Sequence, residues 1–333
     1  MIYIPNRNHD PALNLAMEEY ILAGSGIREP VLFFYINAPS IIIGRHQNTY
    51  DEINSEYVQA NRIQVVRRCS GGGAVYHDLG NLNYSLITPG DAKASCDFSV
   101  LLIPIRDALQ ELGLPAEING RNDLTVMGAK FSGNAYYHNR HGSVTHGTLL
   151  YDSDLDVLSK ALQVNPQKLQ TKGVSSVRSR VCCIKSLLPG ISSIEELEKA
   201  IVRHFAAKGE LKIREFSRED LEKITETANG RYRNEYWNYG EPPVYTTRLL
   251  IHQPCGWIDF RADIPAGTVR RARFYGDFFC TKEIGELENA LTGVSWKPEE
   301  ITGALISAVW QDYFPEFPAE EFVRMLFSGQ AGA

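Results

Sequence analysis

The stretch Arg67-Arg68-Cys69-Ser70-Gly71-Gly72-Gly73-Ala74-Val75-Tyr76-His77-Asp78 joins fixed positive charge, three consecutive glycines and an apolar lip. Ile63 to Val66 before it and Tyr84 to Ile87 after it have strand composition, so the glycines fall at a turn where backbone can approach a ligand. Successive N–H groups without a Cβ can point into one concavity and hold an anion. Arg67 and Arg68 can add charge-assisted contacts to a phosphate or carboxylate. A loose hairpin with solvated arginines has the same local sequence. No Gly-Lys-Ser/Thr follows, which excludes a Walker loop, and no helical pattern opens after the glycines, which excludes the dinucleotide fingerprint.

Lys130 lies between Gly128 and Gly133 among strand-like residues rather than in a charged run. An ammonium on a flexible stem suits holding a phosphate and a carboxylate oxygen together during a displacement; a surface lysine on a hairpin reads the same way locally. Just upstream, Asn122 and Asp123 precede an apolar strand. Asp123 is a hard oxygen ligand of the kind Mg²⁺ takes beside phosphates, and both residues are equally ordinary turn formers. Lys172-Gly173-Val174-Ser175-Ser176-Val177-Arg178-Ser179-Arg180 is basic and rich in hydroxyls without helical period, which fits a loop closing on anionic groups or a solvated linker. The histidines and cysteines lack zinc-site spacing. Cys69 has no sequence-adjacent base and reads as a packing residue of its loop.

These residues must be positioned by a sizeable fold. The chain has 333 residues, 44% hydrophobic and 22% charged, with a formal charge of −6. That is an ordinary globular composition long enough for two domains, and its acidity argues against general nucleic-acid or membrane-surface binding. Six cysteines without a CxxC pair, and an N-terminus lacking a basic segment before an apolar core, predict a reducing, cytoplasmic setting. No apolar run approaches the roughly 18 residues that span a bilayer.

Asp10-Pro11 opens a helical pattern running to Leu22, with an N-cap and Pro at the first helical position. Val31 to Ile36 and Ser40 to Ile43 read as a hairpin around Asn37-Ala38-Pro39. Asn54 to Asn61, Ser99 to Leu112, Leu155 to Leu162, Ile194 to Lys208 and Arg218 to Ala228 read as helices, Pro104 marking a candidate true start of the second. Ala116 to Leu150 reads as strands and turns. The aromatic, Gly- and Pro-rich stretch Tyr236 to Pro243 suggests a boundary. Beyond it, strands at Trp257 to Ala262 and Val269 to Tyr275 and helices near Ile284 to Leu291 and Glu299 to Tyr313 suggest an appended domain of about 85 residues.

Taken in order, Arg67 to Asn83, Gly120-Arg121-Asn122-Asp123-Leu124, Lys130-Phe131-Ser132-Gly133-Asn134-Ala135, His146 to Leu150 and Lys172 to Val181 resemble the motifs of the lipoate-protein ligase A family across most of the chain. The resemblance implies an α+β fold of the biotin/lipoate ligase type, with mixed sheets and flanking helices. It implies a catalytic domain over 1–246 and a small α+β accessory domain over 247–333. It also implies ATP and Mg²⁺ as cofactors, lipoate as substrate, and transfer of the lipoyl group to a lysine of acceptor domains (E2 subunits of 2-oxoacid dehydrogenases and the glycine cleavage H protein) by a monomer. By that likeness Arg68, Gly73, Ala74, Val75, Tyr76 and His77, with Asn122, Asp123, Ser132 and Gly133, line the ATP and lipoate site. Lys130 contacts the lipoyl carbonyl and α-phosphate, Asp123 is the candidate Mg²⁺ ligand, and Lys172 to Arg180 form the adenylate-binding loop. Departures are confined to Cys69 and Cys182-Cys183, which are expected to touch no reacting residue. An octanoyl or lipoyl transferase on the same fold would need a carrier cysteine near Asn119 to Asp123, and none is there. A non-catalytic lipoyl- or nucleotide-binding protein is the other alternative.

Overall fold

Helix α1 (Pro11–Ala23) begins where the Asp10 carboxylate accepts the N–H groups of Ala12 at 2.8 Å and Leu13 at 3.4 Å, with Pro11 at the first helical position. The structure, a computed structural model, describes residues 1–90, 98–120, 122–163, 181–240, 245–280 and 282–328. By compactness the chain divides into two units, one of Met1–Ile43, Thr49–Arg68 and Ala74–Tyr239, the other of Gly44–Asn48, Cys69–Gly73 and Gly240–Ala333.

Among its described residues the first unit carries eleven strands: β1 (Ile2–Ile4), β2 (Val31–Ile36), β3 (Ser40–Ile43), β4 (Gln64–Arg67), β5 (Val75–His77), β6 (Asn81–Pro89), β7 (Glu117–Asn119), β8 (Asp123–Val126), β9 (Ala129–Asn139), β10 (Gly142–Leu150) and β11 (Lys212–Ile213). Eight form one mixed sheet in the order β11-β1-β2-β6-β10-β9-β8-β7, and β4-β3-β5 form a smaller one. Its other helices are α2 (Thr49–Glu52), α3 (Ser55–Ala60), α4 (Ser99–Glu111), α5 (Leu155–Ala161), α6 (Ile194–Lys208), α7 (Arg218–Thr227) and α8 (Glu235–Tyr239), with a π turn at Ala228–Tyr232.

The expected hairpin of Val31–Ile36 and Ser40–Ile43 does not form. Strand β2 pairs with β1 and β6, while β3 pairs with β4 and β5 in the other sheet. Every residue of both strands is buried, and each meets that burial with partners of its own on both edges. The turn between them is tied to the N-terminal segment instead, Ala38 N–H donating to the His9 carbonyl at 2.7 Å. Likewise the strand returning after the glycines is the three-residue β5; Tyr84 to Ile87 belong to β6 in the large sheet. Pro104 sits inside α4 rather than at its start, because Leu101, Leu102, Ile105, Ala108 and Leu109 are all buried and tertiary packing outweighs local propensity.

In the second unit, β12 (Thr247–Gln253), β13 (Gly256–Asp263) and β14 (Arg271–Gly276) form an antiparallel sheet. Helices α9 (Ile284–Leu291), α10 (Pro298–Ser307) and α11 (Ala319–Ser328) cover it, with Phe260, Phe274, Trp310 and Phe322 in the core. Strand β12 and helix α11 lie outside the sequence reading. The helix expected to reach Tyr313 stops at Ser307, since Val309 takes φ +57° and a short 3-10 turn follows. Within this unit His46 stacks on Phe278 at 4.8 Å, and the Gly276 N–H donates to the His46 carbonyl at 2.9 Å. A Cβ on Gly71 would lie 2.4 Å from the Phe278 oxygen. Close backbone packing therefore requires that glycine.

Candidate active site

Register in the large sheet defines one polar face. Asp123 pairs with Gly133, the Gly133 N–H donates to Thr148 Oγ1 at 3.3 Å, Thr148 pairs with Asn83, and Asn83 pairs with Tyr35. The next row on the same face holds Ala135, His146, Ser85 and Phe33. The first row crosses five strands spaced about 4.8 Å apart, so it runs about 19 Å.

Lys130 stands at one end of that row. Its ammonium pairs with Asp123 at 2.7 Å and lies over Gly133, where a Cβ would fall 2.8 Å from Nζ. A register irregularity decides which way it points: Leu124 pairs with Ser132 but Thr125 pairs with Lys130. Neighbouring residues of β8 face opposite sides, so Lys130 and Ser132 do too, although they are two apart in a strand. The bulge sends Lys130 to the Asp123 side. Ser132 is fully buried on the other, its hydroxyl 3.0 Å from Tyr84 Oη. Asn122 ties down the middle of β9, donating to the Asn134 carbonyl at 2.5 Å. Contrary to the expectation from sequence, Cys182 does touch Lys130: its main-chain N–H donates to the Lys130 carbonyl at 2.9 Å.

The other end of the row is a buried polar cluster around Glu18 of α1, which is 5% exposed. Its carboxylate accepts from Tyr35 Oη at 3.2 Å and from Ser85 Oγ, and contacts His146 Nδ1 at 2.9 Å. Arg68 is buried and donates to the Ile42 carbonyl at 3.0 Å. Burial pulls its guanidinium down to about 10, opposed by Tyr35 and Glu18, so it stays charged at neutral pH. His77 is held at about 3 by burial first, then by Arg68 and His146, and is neutral. Arg67 has a different task from its neighbour. Its Nε donates to the Trp237 carbonyl at 2.8 Å, and its Nη2 to Thr49 Oγ1 at 2.7 Å and the Asn238 carbonyl at 3.1 Å.

Val75 and Tyr76 continue β5 beside His77; Tyr76 is buried, while Ala74 and Val75 are partly exposed. Gly73 belongs to the second unit and is exposed. Lys172 to Arg180, and Arg121, lie outside the described residues. Among the described residues there is no group of three His, Cys, Asp or Glu that could hold a metal ion. Asp123 offers one carboxylate, which suits Mg²⁺ arriving on phosphates rather than a dedicated protein cage. The sequence patterns do not single out Glu18, Asn14 or Asn37. The signal was present in α1: Asn14 and Glu18, four apart, sit on its buried face.

A family model described as the lipoyl protein ligase A/B catalytic domain matches residues 10–206, and one described as the bacterial lipoate protein ligase C-terminus matches residues 242–326. The chain is 42% identical over 327 residues to lipoate-protein ligase 1 of Staphylococcus aureus, covering 98% of this chain and 100% of that relative. A crystal structure of P. falciparum LipL1 in complex with lipoate aligns with a TM-score of 0.77 at 23% identity, covering 92% of this chain and 94% of that one, which shows a shared fold. A lipoate-protein ligase A bound with ATP aligns at 0.61 with 27% identity, covering 72% of this chain and 98% of that one.

Proposed function

Since this chain belongs to the lipoyl protein ligase A/B family, we propose that it activates free lipoate with ATP and transfers the lipoyl group to a lysine of acceptor domains. The observation that carries this reading is the Lys130 ammonium at the end of a long polar row, on the same face as Asp123 and Gly133.

In the first step a lipoate carboxylate oxygen attacks the α-phosphorus of ATP, the bond to the bridging oxygen breaks, and pyrophosphate leaves. Lys130 holds the carboxylate and the α-phosphate together and offsets the charge gathering on their oxygens. In the second step the acceptor lysine, as a free amine, attacks the acyl carbon. AMP leaves through its phosphate oxygen and an amide remains. Neither step calls for an enzyme nucleophile. Mg²⁺, held by phosphates with Asp123 as the protein carboxylate, would supply further charge neutralisation. Arg68 and His77 with Ala74, Val75 and Tyr76 complete the substrate site. Residues 247–333 serve as the accessory domain, and E2 subunits and the H protein are the acceptors. Cys182, Cys183 and Cys280 carry thiols rather than disulfides, which supports a cytoplasmic setting. No helix among the described residues is long and apolar enough to cross a membrane.

A transferase route through a thioester would need a reactive thiol near Lys130. Among the described residues Cys182 is placed there, and burial pushes its thiol up, away from the thiolate a carrier requires. Lipoate-dependent exchange of pyrophosphate into ATP tests the first step, and mass spectrometry of a purified lipoyl domain tests the second. Lys130→Ala should fold and lose about 3 kcal/mol or more of transition-state stabilisation. Folded wild-type protein without exchange would favour a binding module instead.

A further inference from the structure

Asn14, Asn37 and His77 form a chain of side-chain hydrogen bonds whose direction follows from its fixed end. The Asn14 Nδ2 position lies 3.0 Å from the Asn8 carbonyl oxygen and 3.4 Å from that of Ile36. Main-chain carbonyls only accept, so the amide nitrogen of Asn14 must face them. The Asn37 atom it meets at 2.8 Å is then the acceptor Oδ1. Asn37 thereby turns its own Nδ2 to His77, 2.9 Å from Nδ1. An amide nitrogen only donates, so Nδ1 of His77 carries a lone pair and the ring proton sits on Nε2.

Asn14 and Asn37 are fully buried and His77 is 3% exposed. The Nε2 of His77 is buried with no hydrogen-bond partner among the described residues, and so is Oγ of Ser40, its cross-strand partner in β3. Such partners share a face of the sheet with their Cβ atoms about 5 Å apart. Buried donors in native proteins nearly always find an acceptor. The charged and titratable groups that act on the ring are Arg68 and His146, the latter paired with Glu18. Asp78 is turned away to the main chain of Gly80 and Asp154.

We propose that Asn14 and Asn37 are positioning residues that lock His77 as a neutral Nε2–H donor for an oxygen of the bound acyl-adenylate, on its acyl or its phosphate side. The proposal rests on the ligase reading. A neutral donor beside Arg68 adds a directed hydrogen bond without a second fixed charge, and one tautomer keeps that donor in place at every pH where the enzyme works.

The ¹⁵N NMR spectrum of the labelled full chain reports the ring directly. A proton on Nε2, unchanged from pH 5 to 9, is expected; a proton on Nδ1, or a ring that titrates in that range, overturns the proposal. Asn37→Asp keeps the shape and the acceptor for Asn14 but reverses the contact with His77. A carboxylate draws the ring proton to Nδ1, and Nε2 then bears hydrogen only when the ring is doubly protonated. Affinity for a non-hydrolysable lipoyl-sulfamate analogue of the adenylate should fall about 10²-fold at pH 8 and recover toward pH 6. The wild-type chain should show no such recovery. Equal affinity of Asn37→Asp at both pH values, near that of wild type, overturns the assignment. With lipoate alone as probe, the same loss places the contact on the acyl oxygen, and a loss confined to the analogue places it on the phosphate side. Wild-type exchange activity separates the claims: its absence sinks the ligase reading, and its presence with unaltered Asn37→Asp binding sinks this one. Should Asn37→Asp fail to fold, the wild-type spectrum still decides.

Discussion

Gly133→Ala is a one-carbon perturbation that meets the Lys130 side chain first. The new Cβ would lie 2.8 Å from Nζ, 3.0 Å from Cε and 4.0 Å from the Asp123 Oδ1. Ordinary contact begins near 3.4 Å, so the ammonium must retreat by about 0.6 Å. Lys130 is the flexible partner, and Gly133 has no positive φ, so the fold should lose little. Alanine in a strand is easier on the unfolded-state entropy than glycine and partly compensates. Catalytic groups must sit within about 0.5 Å of productive geometry, and a 1 Å error costs on the order of 10²-fold. The expected result is lipoate-dependent exchange reduced between about tenfold and a hundredfold, or about 1.4 to 2.7 kcal/mol, at an unchanged melting temperature. Exchange within about twofold of wild type in a folded variant would refute the claim that Lys130 works from its position over this glycine.

Met127 and Gly128 form the two-residue turn between β8 and β9 with φ of +49° and +79°. Met127→Asn should therefore raise stability by about 1 kcal/mol in thermal melts without altering exchange, and a drop in stability would contradict the turn type. Acid should weaken the fold through His77. The folded ring is held at about 3 against 6.5 when exposed, so below 6.5 the unfolded chain takes up a proton that the native site refuses. Stability is then present above 6.5 and lost on acidification by up to about 1.4 kcal/mol per pH unit, and denaturant midpoints for His77→Gln should fall less steeply. An equally steep fall in that variant would remove His77 as the cause. Cys182→Ser should retain exchange and transfer, because the main-chain N–H, not the thiol, meets Lys130; an acyl-thioester adduct at Cys182 in wild type would speak for the transferase chemistry.

Features set by a few adjacent residues are legible in the sequence, and features set by strand register are not. The capped start of α1 and the segment bearing Lys130 each follow from a few adjacent residues. Glu18 acquires its partners Tyr35, Ser85 and His146 only when β2, β6 and β10 align, and no local pattern encodes that alignment. Lys130 and Ser132 look like same-face neighbours by the two-residue period of a strand, and one irregular pairing with β8 separates them. Arg67 and Arg68 look interchangeable in the chain. Strand alternation sends one toward α8 and the other toward Glu18 and Tyr35.

The clasp made by Arg67 bears on where the first unit can be cut. Its main-chain N–H donates to Asn238 Oδ1 at 2.9 Å and its carbonyl accepts from Trp237 Nε1 at 2.8 Å, besides the three guanidinium contacts. The aromatic stretch that composition marks as a border is thus fastened to the residue beside Arg68. A truncated protein ending before Trp237 would strand a buried cation and several carbonyl-hungry donors in the interior, whereas one ending just after Tyr239 would keep the whole buckle. Anyone isolating this half for crystallography or redesign should let the polypeptide run through that last helical turn.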